Sequence, residues 1–188
     1  MSRHILQVAT LVLLLSSQLT AASERYCRQL SQTSGYDIQT CKCGGSLLSY
    51  PHSGAKALPL VAVCGYTKES WGFTGSFLLE GISLLHGKIR REETETFGDW
   101  PTFLVDESSM KSFPTSDRLL RFGNEAIAIK KFNIPRITAK TPCWTANASI
   151  YLKKLEVLEG PGTDSDGSYV IDFEIYKVAN FKKCKPSE

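Results

Sequence analysis

The chain has 188 residues with 22 basic and 19 acidic side chains, a formal net charge of +3. That near-balance excludes a concentrated basic surface of the kind non-specific nucleic-acid binding requires. Six cysteines in a chain of this length point to an oxidising compartment and a disulfide framework rather than to a reduced cytosolic protein.

The N-terminus reads as an export signal. Met1 to His4 is a short basic lead, Ile5 to Leu19 is an apolar run, and Thr20-Ala21-Ala22-Ser23 supplies the small residues a signal peptidase accepts. The run contains Gln7, Ser16, Ser17 and Gln18 and falls short of the ~18–20 apolar residues a span needs. Residues 1–22 are therefore expected to be cleaved, leaving no stable membrane anchor and one disulfide-stapled domain over residues 23–188. Glu24-Arg25-Tyr26 before Cys27 does not suit lipid attachment.

All six cysteines, Cys27, Cys41, Cys43, Cys64, Cys143 and Cys184, lie in that exported part. They allow 15 pairings. A bond between Cys41 and Cys43 would be badly strained, and the other pairings stay open. Cys184 lies close to the C-terminus, so its bond is expected to pin the last strand.

In chain order, Glu24 to Gln32 suits two helical turns and Ser34 to Asp37 a turn. Cys41-Lys42-Cys43-Gly44-Gly45 reads as a tight bend, and 47–57 as a Pro/Gly/Ser loop carrying His52. Leu58 to Tyr66 is nearly all apolar, which suits a buried strand hairpinned to the next. The stretch from Trp71 to Glu107 has the most regular alternation. Trp71, Phe73, Phe77 and Leu79 share one parity, so a period of two puts them on one face. It reads as a three-stranded meander: Trp71–Glu80, a turn at Gly81, Ser83–Ile89, a solvated charged bend over Arg90–Glu95, then Trp100–Asp106. Trp71 and Trp100 are expected to fill its core.

Beyond the meander, Glu107 to Thr115 is loop-like. Ser116 to Phe122 suits one or two helical turns, with Ser116 as cap and Gly123 as stop. Glu125 to Ile134 reads as a strand with a parity change at Lys130-Lys131. Asn147 to Leu158 shows the same change at Lys153-Lys154, as a β-bulge produces. Residues 160–167 form a turn, and Tyr169 to Ile175 alternates as a last strand. Seven strands with no βαβ rhythm predict an all-β fold. The expected form is a curved antiparallel sheet making a small barrel, OB-like or otherwise, or a sandwich, with short helical turns and disulfides.

The Cys41-Lys42-Cys43 pair ahead of a β domain is loosely similar to netrin-like inhibitor domains. In that family Cys-x-Cys opens the mature chain, whereas some eighteen residues precede it here, and the other cysteines depart from the family pattern. The resemblance is one of layout, and no residue roles carry over from it.

No catalytic signature is present: no Gly-x-Ser-x-Gly, no His-Glu-x-x-His and no phosphate loop. A zinc set of Cys41, Cys43, His52 and Cys64 fails on spacing. Asp164-Ser165-Asp166-Gly167 opens like a calcium loop, but the glycine and glutamate it would need fall on Tyr169 and Ile175. Neither a metal nor a cofactor is expected. Asn147-Ala148-Ser149 is a glycosylation sequon. His86 is expected on the solvent side of its strand, and Trp144 on a loop beside Cys143; these two are the candidate binding-surface residues.

The reading is an exported, periplasmic or extracellular protein that binds a protein or glycan partner without catalysis, as an inhibitor or an envelope or extracellular ligand binder. One alternative is a small exported hydrolase using the carboxylate pair Asp172 and Glu174. Another is a structural subunit of an envelope assembly.

Overall fold

The computed structural model describes residues 41–43, 47–70, 72–93, 99–160 and 167–185. The expected export signal, Cys27, the helix and turn expected before Cys41, Gly44-Gly45, Trp71, most of the charged bend and most of the 160–167 turn lie outside them. Among the described residues nine strands and two helices follow in chain order: β1 Cys41–Cys43, β2 Gly54–Ala55, β3 Leu58–Glu69, β4 Gly72–Glu92, β5 Pro101–Val105, α1 Glu107–Met110, β6 Leu119–Phe122, α2 Glu125–Phe132, β7 Cys143–Glu159, β8 Gly167–Val178 and β9 Lys182–Lys183. A 3₁₀ turn covers Leu47–Ser49.

Five of the strands form a ring. β4 pairs with β5, β5 with β6, β6 with β8, β8 with β7, and β7 returns to β4. One sheet thus closes on itself instead of two sheets stacking face to face. The β6–β8 contact is parallel and the other four are antiparallel, so the sheet is mixed and not purely antiparallel as expected. With α2 between the third and fourth ring strands, the connectivity is OB-like. β3 extends the sheet from β4, and β1 and β2 both pair with β3.

Alternation fills the ring. Phe77, Leu79, Leu85 and Ile89 of β4, Phe103 of β5, Leu120 of β6 and Ile150, Leu152 and Leu155 of β7 are fully buried in one core. The expected strands Trp71–Glu80 and Ser83–Ile89 are one continuous strand of 21 residues. Gly81 makes no turn. It sits at a bulge, where Gly81 and Ile82 stand against Lys153 alone. The Ala57 carbonyl presses onto it from the β2–β3 turn and accepts the Ile82 N–H at 3.0 Å. A Cβ at Gly81 would lie 1.9 Å from that oxygen, which is why this position has no side chain.

Other expectations change as well. Ser116–Phe122 is not helical: Leu119–Phe122 is β6, with Leu120 and Phe122 turned inward. Glu125–Ile134 is not a bulged strand, since Glu125–Phe132 is α2. Asn124 caps it by accepting the Ile127 N–H, Lys130 and Lys131 occupy its last turn, and Asn133 closes it in the left-handed region. Its buried Ala128 and Phe132, four apart, cover one end of the ring, and Phe132 stacks on Phe173 with centroids 5.3 Å apart.

The charged run is not simply a solvated bend either. Arg90, Arg91 and Glu92 belong to β4, and Arg91 is only 8% exposed, with its Nη2 2.6 Å from Asp99 Oδ2. Trp100 is 45% exposed and does not fill the core. The β3–β4 hairpin, the bulge at Lys153-Lys154 and the late β8 strand stand as expected.

Cys41 is bonded to Cys64, its direct partner across β1 and β3, and Cys143 to Cys184, tying β7 to the C-terminal segment. Cys43 is also in a disulfide. Closing loops of 23 and 41 residues contributes about 2–4 kcal/mol per bridge. These bonds fit an oxidising, exported setting. Among the described residues no helix is long and apolar enough to cross a membrane.

Candidate functional site

Inward-facing Leu85, Ile89, Ala146, Ala148 and Ile150 leave the intervening positions of β4 and β7 pointing outward. Register then makes rows of them. His86 stands opposite Ser149, and Ser149 opposite Lys177 of β8; one step along, Lys88 stands opposite Asn147. Neighbouring strands are ~4.8 Å apart, so the three-residue row spans about 10 Å.

Past Gly87, β5 leaves β4 and the chain turns into α1, which takes over the hydrogen bonds of β4. The Asp106 N–H donates to the His86 carbonyl at 2.8 Å, and the His86 N–H donates to Ser109 Oγ at 2.9 Å. The His86 ring is held too, its Nδ1 lying 2.8 Å from Ser149 Oγ. The result is an outer-face groove of ≈ 720 Å³ whose polar lining includes His86, Lys88, Asp106, Asn147, Ser149 and Lys177. Two lysines face one carboxylate there, and among the described residues no salt bridge engages Lys88 or Lys177. The groove is rich in donors and positive in balance.

His86 is thus outward-facing, as its position in the sequence suggested. Trp144 is not on a loop. It is the second residue of β7 and pairs with Arg91 and Lys183, and its Nε1–H donates to the Arg136 carbonyl at 3.1 Å. Its parity matches Ala146 and Ala148, and it lies five residues (~16 Å) from Ser149 along the strand. The structure does not bring Trp144 and His86 together. Lys88 and Lys177 carried no signal in the sequence, and Ser149 only that of the sequon, because their proximity depends on the register of β4 with β7 and of β7 with β8. Asn147, the sequon residue, is exposed on this same face.

The remaining candidates lie elsewhere. The thiolates a zinc set would need are spent in disulfides, and among the described residues no group of three His, Cys, Asp or Glu is arranged to hold a metal. The His52 ring is hydrogen-bonded through Nε2 to Glu159 and sits edge-on to Phe77, with centroids 4.8 Å apart. Asp172 and Glu174 are exposed neighbours on β8.

Glu174 Oε1 lies 2.5 Å from Lys153 Nζ; this hydrogen bond and the lysine's charge hold the carboxyl below its ordinary value of 4.5, and Lys153 is raised in return. The pair's stabilisation is present above the unfolded carboxyl's range and fades as pH falls through the depressed value. At the alkaline end it is present below the ordinary 10.5 of a lysine and fades as pH rises through the elevated one. An NMR pH titration is expected to show the Glu174 carboxyl midpoint below 4.5, returning toward 4.5 in Lys153→Met. A wild-type midpoint at or above 4.5 would contradict the pairing.

No family model, curated protein or solved structure matches the chain.

Proposed function

We propose that this is an exported, non-catalytic binding protein whose outer-face groove holds an acidic saccharide of an envelope or extracellular glycan. The observation that carries this reading is the pair of cross-strand rows, His86–Ser149–Lys177 and Lys88–Asn147. They set two cations and several hydrogen-bond donors at fixed spacing on rigid strands. Carboxylate or sulfate groups on a sugar chain would meet the lysines, and its hydroxyls would meet Asn147 and Ser149.

A hydrolytic reading through Asp172 and Glu174 has little support, because a proton-donating acid needs a raised pKa and Glu174 is lowered. The His86–Ser149 bond favours a different hydrolytic reading, with serine as nucleophile and histidine as base. Among the described residues no hydrogen bond from the His86 ring N–H to the Asp106 carboxylate supports that arrangement.

The test is heteronuclear NMR with uronic-acid and sulfated oligosaccharides against neutral ones. Saturable shifts at His86, Lys88, Asn147 and Lys177 are expected from the acidic probes. They are expected to weaken with salt as the Debye length falls from ~10 Å at 0.1 M to ~3 Å at 1 M. Equal shifts from neutral probes would overturn the reading. Ester turnover lost in Ser149→Ala would replace it with the hydrolytic one.

A further inference from the structure

We infer a second, separate ligand site at one mouth of the ring that takes a neutral sugar ring or similar polyol. Ten residues along β7 from Ser149, Glu159 borders a groove of ≈ 330 Å³, at the small end of ligand-sized pockets. It lies between the loop entering β6, the end of β7, the start of β8 and the start of β4. Phe73 and His52 form its ring-bearing walls, and Thr115, Asp117, Ser168 and Glu159 supply its polar lining.

The acidic groups in this groove already accept hydrogen bonds or lie against a ring nitrogen. Glu159 is paired with His52. Asp117 takes the Leu119 N–H on Oδ1 at 2.9 Å and the Ser168 N–H on Oδ2 at 3.2 Å, which fixes its carboxylate while leaving lone pairs for further donors. Among the described lining residues there is no lysine or arginine.

Two hydroxyls in the groove lack partners. Ser168 is 1% exposed, and its Oγ is buried without a hydrogen-bond partner; Thr115 Oγ1 is in the same state. Folded proteins leave few such hydroxyls unpaired, because each loses its water without replacement. Two orphaned hydroxyls in one groove, each able to donate and accept, match the hydroxyls of a sugar. The Phe73 ring, backed by Tyr66 at a centroid distance of 5.9 Å, offers a face for the sugar's C–H side.

The test uses methyl glycosides of glucose, galactose and N-acetylglucosamine at millimolar concentration, with sulfate and choline as controls, on the intact disulfide-bonded protein. Amide shifts at Phe73, Gly160 and Ser168 are expected to saturate with at least one glycoside and not with the controls. Ser168→Ala is expected to weaken binding by about tenfold while raising or preserving Tm, because it removes an unpaired buried hydroxyl. Thr115→Val provides the same readout should Ser168→Ala fold poorly. Charge reversal at Lys88 and Lys177 is expected to leave this site unchanged, so it can fail independently of the outer-face groove. Absence of saturable shifts with every glycoside, binding indifferent to both hydroxyl variants, or preference for sulfate or choline would each overturn the inference.

Discussion

Phe103→Ala is expected to destabilise the protein by about 3–5 kcal/mol, the range for removing a buried aromatic. Phe103 is 0% exposed and projects from the middle of β5 into the ring, opposite Ile89 on β4 and Leu120 on β6. Its ring lies so close to the β4 backbone that a Cβ at Gly87 would be 2.9 Å from Cε1. β5 is only five residues long, and it links the long β4 strand to the short β6 strand. A cavity there cannot be closed by sliding a longer element over it. Equilibrium denaturation with the disulfides intact, comparing wild type with Phe103→Leu and Phe103→Ala, is expected to rank the three in that order. A loss under ~1 kcal/mol for Phe103→Ala would be an ordinary surface-like value and would place Phe103 outside the core.

Gly81→Ala is expected to cost about 3 kcal/mol, the upper end for forcing extra volume into a packed site. The added methyl would lie 1.9 Å from the Ala57 carbonyl oxygen and 2.9 Å from its carbon. Both are backbone atoms, and the oxygen is held by the Ile82 N–H at 3.0 Å. Relief would require moving the β2–β3 turn away from the bulge. Gly123→Ala is the control. Its Cβ would meet the Ile171 Cδ1 methyl at 2.8 Å, a side-chain end that can rotate aside, and Val170 O at an ordinary 3.5 Å. The same denaturation measurement is expected to show Gly123→Ala losing under ~1 kcal/mol. Equal losses for the two variants would contradict the close approach at Gly81.

The contrast between these glycines shows where sequence reasoning succeeded and where it stopped. Alternation in Phe73–Leu79, Ser83–Ile89 and Trp100–Asp106 was strong enough to identify β4 and β5. It could not tell a turn at Gly81 from a bulge occupied by another segment's carbonyl, since Ala57 is remote in the pattern. The Lys153-Lys154 bulge was readable because a parity switch is local information. Leu119–Phe122 and Glu125–Phe132 exchanged their helix and strand identities, being four and eight residues long. Segments that short satisfy both periods, and pairing to β5 and β8 decided the first. For the second, Asn124 and Asn133 were usable cap signals that the alternation of Ile127 and Ile129 obscured.

The candidate site divides the same way. The outward placement of His86 follows from its own strand. Ser149, Lys177 and Lys88 join it only through the register of β4, β7 and β8. The export signal and the role of Cys27 rest on sequence pattern alone.

The most direct test of the binding account is calorimetric titration of an acidic oligosaccharide into wild type and into Lys88→Glu/Lys177→Glu. The groove predicts saturable, salt-sensitive binding to wild type, weakened by at least about tenfold, or ~1.4 kcal/mol, in the folded double variant. Undiminished affinity in that variant, or neutral oligosaccharide binding wild type as tightly as the acidic one, would contradict it.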